Sequence, residues 1–123
     1  MSRYKNQRFR ARLGFALRGL AQALRSEASL RLQALAFAAA LLVLLALRPP
    51  AVWWALVILA SAAVVAAELF NTAIEHLADL LHPQQSPGIR LVKDCAAAGV
   101  LVAVLGALGV AAALLVHLLS GAL

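Results

Sequence analysis

Acidic residues are scarce in this chain. There are five, Glu27, Glu68, Glu75, Asp79 and Asp94, against eleven lysines and arginines. Charged residues of both signs make up 13% of the sequence, about half the share that a soluble domain carries. Cysteine occurs once, at Cys95, which excludes an intrachain disulfide and a thiolate metal cluster. At the start of an apolar helix, it reads as a small packing residue. Aromatic residues are few, and no basic–aromatic interleaving or reading motif accompanies the net charge of +6, so nucleic acid is not an expected partner.

What the chain has in excess is apolar surface. With 123 residues it can form one domain, and 64% of them are hydrophobic. A soluble chain of this length cannot bury so much apolar area, so the surplus has to face lipid. The basic residues support this reading. Eight of the eleven, Arg3, Lys5, Arg8, Arg10, Arg12, Arg18, Arg25 and Arg31, precede or enter the first apolar run, where a juxtamembrane segment meets anionic headgroups. About 30 mostly polar or amphipathic residues before that run do not read as a cleavable signal peptide.

The expected architecture is all-α, as one membrane domain over residues 1–123. A surface helix is expected over 8–26, because Phe9, Leu13, Leu17, Leu20 and Leu24 recur at helical steps with the arginines largely off their stripe. Such a helix lies in the membrane interface or against a protein partner. Helices containing transmembrane spans are expected over 29–47, 51–81 and 94–119, with Arg48-Pro49-Pro50 ending the first and Trp53-Trp54 belting the second. The positive charges place the N-terminus and the 82–93 loop in the cytoplasm and the Pro49-Pro50 turn outside. In the last helix Gly99, Gly106 and Ala113 recur every seventh residue, with Gly109 nearby; such a stripe lets helices approach closely, within the chain or between subunits.

On that topology every acidic residue sits at or just beyond the cytoplasmic end of an apolar segment. A carboxylate there is costly unless paired, hydrated or bound to a cation. The densest stretch is Glu68-Leu-Phe-Asn71-Thr72-Ala-Ile-Glu75-His76-Leu-Ala-Asp79. Steps of three, four and four put Glu68, Asn71, Glu75 and Asp79 on one helix face. Such a face can hold a hard divalent cation through oxygen ligands and can supply a carboxylate base. Arg90 and Lys93, expected in the neighbouring cytoplasmic loop, bring cations for phosphate oxygens. These are the parts of phosphoryl transfer. Taken singly, each residue has a plainer reading: Asn71 as interhelical glue, Glu75 and Asp79 facing headgroup water.

Other chemistries fit worse. Gly14-Phe-Ala-Leu-Arg-Gly19 has two glycines of a phosphate-binding loop, but Leu20 and Ala21 stand where Lys and Ser/Thr are required. Asp79 and His82 have metal-ligand spacing without a second such pair. His117 falls near the opposite membrane face as an interfacial residue, and no Ser–His–acid set assembles on one face.

The residues quoted resemble the small bacterial integral-membrane diacylglycerol kinases and the related undecaprenol kinases. The 68–79 stretch is similar to that family's E-x-x-N-[ST]-A-I-E-x-x-x-D signature, and Lys93-Asp94-Cys-Ala-Ala to its K-D-x-[AG]-[AS] start of the last helix. Gly14-Phe-Ala-Leu-Arg18-Gly19-Leu followed by Ser26-Glu27-Ala is a third match. The resemblance implies a homotrimer in the bacterial inner membrane, with active sites at the cytoplasmic face shared between subunits. It implies ATP as phosphoryl donor, Mg2+ as cofactor and a membrane lipid as acceptor. Glu68 would be the general base, and Glu27 and Glu75 the ligands of the nucleotide's magnesium. Asn71, Lys93 and Asp94 would position the nucleotide, Arg8 would contact it from the surface helix, and Asp79 would support this shell.

Departures from the family pattern are Gln33 in place of an acid, Phe15 in place of a tyrosine near the nucleotide, and Gln84-Gln85-Ser86 in place of Glu-Tyr-His, leaving Phe15, Gln84 and Ser86 at nucleotide-binding positions. Ala97 replaces a serine. The expected reaction is phosphorylation of diacylglycerol to phosphatidic acid, with undecaprenol as the alternative acceptor. The competing class is a non-enzymatic transporter subunit or assembly protein, although a transporter should carry its ionisable residues near the bilayer midplane.

Overall fold

The computed structural model describes residues 8–121, so Arg3 and Lys5 of the basic segment lie outside the described residues. Four helices follow in order: α1 Phe9–Ser26, α2 Ala28–Leu47, α3 Ala51–Leu81 and α4 Pro87–Leu119. No strand occurs among the described residues. Helices α2, α3 and α4 are each long and apolar enough to cross a membrane.

Local chemistry sets the breaks. A single extended residue, Glu27, separates α1 from α2; its N–H donates to the Ala23 carbonyl at 2.8 Å and its carbonyl accepts from Arg31 at 3.2 Å. The last carbonyls of a helix lack intrahelical partners. Arg31 supplies one here, its guanidinium reaching back to the carbonyls of Leu24 at 2.9 Å and Arg25 at 2.8 Å. Arg31 therefore ties α2 to the end of α1 rather than extending away from it. At the other end of α2, Arg48 closes the helix in the left-handed region (φ 48°), and Pro49 and Pro50 prevent its continuation.

Helix α4 starts seven residues before the expected position 94. The early start follows from Ser86 and Pro87: the Ser86 hydroxyl accepts from the Ile89 N–H at 3.2 Å, and Pro87 occupies the first turn, where a missing N–H costs nothing. Arg90, Lys93 and Asp94 consequently ride on the first two turns of α4. The expectation that Arg90 and Lys93 belong to a loop is corrected.

Helices α3 and α4 form an antiparallel hairpin and α2 leans on α3. The pairs Trp53/His117, Val57/Leu114 and Asp79/Lys93 step along the hairpin in register. Leu44, Val57 and Leu114 form the buried cluster near the Pro49-Pro50 turn. Pairing of Trp53 with His117 at 5.3 Å makes His117 part of this packing, more than a residue at the interface. Length then places the polar residues. At about 1.5 Å per residue, the 31 residues of α3 and 33 of α4 outrun a hydrocarbon core of about 30 Å, so both helices project beyond it. Measured from Ala51, Glu68 stands about 25 Å along α3 and Asp79 about 40 Å along it. The acidic face thus occupies the end of α3 remote from the Pro49-Pro50 turn.

Candidate active site

Glu68 is buried, only 6% exposed, the single buried charged side chain among the described residues. Its partners come from α2. The Ser29 hydroxyl donates to Oε1, and the Gln33 amide donates to Oε2 at 3.4 Å. Ser29 and Gln33 are four residues apart, one turn, so they share the face of α2 that meets α3. One turn outward on α3, the Asn71 amide donates to Glu75 Oε1 at 3.2 Å. Asn71 Oδ1 is left as a buried acceptor with no hydrogen-bond partner, and so is Gln33 Oε1. Unpaired buried acceptors are uncommon and mark places where a donor or ion belongs. Further out, Lys93 on α4 pairs with Asp79 at 2.7 Å.

The four residues on one face of α3 therefore serve three partners: Glu68 reaches α2, Asn71 and Glu75 pair with each other, and Asp79 reaches α4. Glu27 is half-buried at the α1–α2 junction, and Asp94 is exposed on α4. Arg8 is exposed at the N-terminal edge of α1. Phe15 is half-buried, with the Arg18 guanidinium 4.9 Å from its ring centre. Gln84 is exposed in the α3–α4 turn, its carbonyl 2.8 Å from His82 Nδ1. Ser86 spends its hydroxyl on capping α4.

Among the described residues no three His, Cys, Asp or Glu gather into a metal-binding group. The oxygen set that is present, the Glu75 carboxylate beside the unpartnered Asn71 carbonyl oxygen, has the hard-donor chemistry that magnesium takes. It suits an ion that arrives with a nucleotide and keeps phosphate and water among its ligands better than a resident protein cage.

An apolar cleft runs along the bundle and reaches Gln33, the α2 partner of Glu68. Its volume is about 440 Å³, and α2, α3 and α4 all line it. Gln33 is its one long polar side chain; Phe37, Val57, Val64 and Leu114 are among the others. Gln33 thus joins the cleft to the buried carboxylate.

The sequence profile of the prokaryotic diacylglycerol kinases matches residues 14–115, which contain all of α2 and α3 and the buried carboxylate with its partners. The chain belongs to that family. No curated protein matches it. This member of the prokaryotic diacylglycerol kinase family is a multi-pass membrane protein, and its family is one of lipid kinases.

Sequence reasoning did not place Ser29 at the site and saw Gln33 only as a departure from the family pattern. A signal was present. Apart from Arg31, Ser29 and Gln33 are the polar residues of α2, and they lie one helical turn apart in a segment otherwise without side-chain hydrogen-bonding groups.

Proposed function

We propose that the protein transfers the γ-phosphoryl group of ATP to the hydroxyl of diacylglycerol, giving phosphatidic acid and ADP, at the cytoplasmic face of the bacterial inner membrane. The observation that carries this reading is the continuity from an apolar cleft, through Gln33, to the buried carboxylate of Glu68. A lipid alcohol can keep its chains in apolar surroundings while its hydroxyl meets a base.

In the proposed reaction Glu68 accepts the hydroxyl proton as the lipid oxygen bonds to the γ-phosphorus and the bond to the ADP oxygen breaks. Magnesium bound with ATP would neutralise the charge on the phosphate oxygens, and Glu75, Asn71 and Glu27 are the residues that would hold it. Lys93 and Asp94 orient the phosphates, with Arg8, Phe15, Gln84 and Ser86 toward the rest of the nucleotide. Asp79 holds Lys93 until the nucleotide arrives.

The working form is a homotrimer in this proposal. Its support is negative space within the subunit: Gly99, Gly106 and Gly109 have nothing near where a Cβ would stand, so the small-residue stripe of α4 is not used inside the chain. The test of the activity is phosphate transfer from labelled ATP in mixed micelles with magnesium, diacylglycerol and undecaprenol being offered separately and the product identified by mass spectrometry. Phosphatidic acid is expected. Undecaprenyl phosphate alone would move the assignment to the other acceptor, and transfer to neither would defeat it.

A further inference from the structure

We infer that Ser29 and Gln33 are positioning residues for Glu68, a two-point hold from α2 that fixes the carboxylate for proton transfer. The inference rests on the lipid-kinase reading above and deepens it at the same site.

The hold is divided with one donor on each carboxylate oxygen, hydroxyl to Oε1 and amide to Oε2. A carboxylate offers about four lone-pair sites, so two donors leave acceptor capacity for a substrate hydroxyl while restricting rotation. A free glutamate side chain has rotamer freedom to lose, and this arrangement removes it before substrate arrives. Both donors are neutral. The one ion pair among the described residues is Lys93 with Asp79, so none of their cations pairs with Glu68.

Simple interhelical glue would be a poorer explanation. Burying a charged carboxylate costs more than burying a neutral amide or hydroxyl, and an apolar contact would join α2 to α3 without that cost. Gln33 adds a second sign of purpose. Because its amide nitrogen faces Glu68, its oxygen is left buried and unpartnered on a residue that lines the apolar cleft. The helix contact thus gains nothing from half of the amide.

The test is steady-state kinetics of the full-length protein with diacylglycerol in micelles. Ser29→Ala and Gln33→Met are each expected to lower kcat by about tenfold with the KM for ATP nearly unchanged, in the range typical of lost supporting hydrogen bonds around a reacting centre. Ser29→Thr, which keeps the hydroxyl, is expected to restore most of the rate. In a Glu68→Gln background, Ser29→Ala should cost little more, since residues acting through one group are not additive. Gln33→Met carries the test should Ser29→Ala fold poorly. Wild-type kcat in both single variants, or undiminished losses on top of Glu68→Gln, would overturn the inference while leaving the kinase reading intact. A wild-type protein that phosphorylates no lipid would overturn both.

Discussion

Glu68 and Lys93 show how differently two charged residues of the proposed site are held. Glu68 is buried and bonded at both oxygens, whereas the Lys93–Asp79 pair is open to solvent, with side chains 28% and 62% exposed. Replacing Glu68 by Gln keeps the shape and removes the proposed base; kcat is expected to fall by about 10²-fold or more while ATP binding, measured by calorimetry, persists. An exposed ion pair is worth at most about 1 kcal/mol, so Lys93 can exchange Asp79 for a phosphate at small cost. Lys93→Met is therefore expected to leave the melting temperature in detergent nearly unchanged and raise the KM for ATP several-fold. Asp79→Asn should disturb both far less. An equal rise in KM for the two variants would show that the pair acts as a unit rather than Lys93 acting on phosphate. At this scale the sequence was informative on α3, where helical spacing alone put Glu68, Asn71, Glu75 and Asp79 on a common face. It was silent on Ser29. Helix α2 is apolar nearly all round, so no stripe shows which side turns toward α3.

Helix boundaries separate the two roles open to Ser86. Its hydroxyl caps α4, which begins at Pro87, and its position in the chain is one of those expected at the nucleotide. Replacing an N-cap serine by alanine costs about 1 kcal/mol, whereas aspartate caps as well as serine does. Ser86→Ala should thus lower the melting temperature and Ser86→Asp should not. If the side chain also stands near phosphate, Ser86→Asp will raise the KM for ATP through charge repulsion despite normal stability. The other informative boundary is Arg48, whose φ of 48° costs a non-glycine residue about 1 kcal/mol. Arg48→Gly is expected to raise the melting temperature by relieving it, and a fall would mean that the arginine side chain contributes more at that turn than its backbone loses. The Pro49-Pro50 break was legible because proline cannot continue a helix. The early start of α4 was not, because the apolar run that signals a span begins only after Asp94. The preceding turns are helical through their cap and through packing against the projecting end of α3.

As a whole, one subunit leaves most of its apolar surface uncovered. In the most apolar window of α4 only 6% of residues are buried within the chain, and in that of α2 11%. Lipid covers such surface without difficulty, so exposure alone does not call for a partner. The glycines decide more. Helix α4 meets α3 through residues such as Val110 and Leu114, while Gly99, Gly106 and Gly109 look outward with no atom near the place of a Cβ. Glycine on a lipid-facing surface forfeits side-chain contacts and weakens the helix by up to about 1 kcal/mol relative to alanine. Against another helix it permits close backbone approach. The proposed homotrimer accounts for both facts by seating a neighbouring subunit on this stripe. Gly106→Leu, with open space in its own subunit, should then leave helicity and the α3–α4 hairpin intact but shift the particle from trimer to monomer in size-exclusion chromatography with light scattering. If sites are shared between subunits, phosphate transfer falls with the trimer. An unchanged trimer with unchanged activity would place the stripe against lipid, and the assembly would have to use a different face of the bundle.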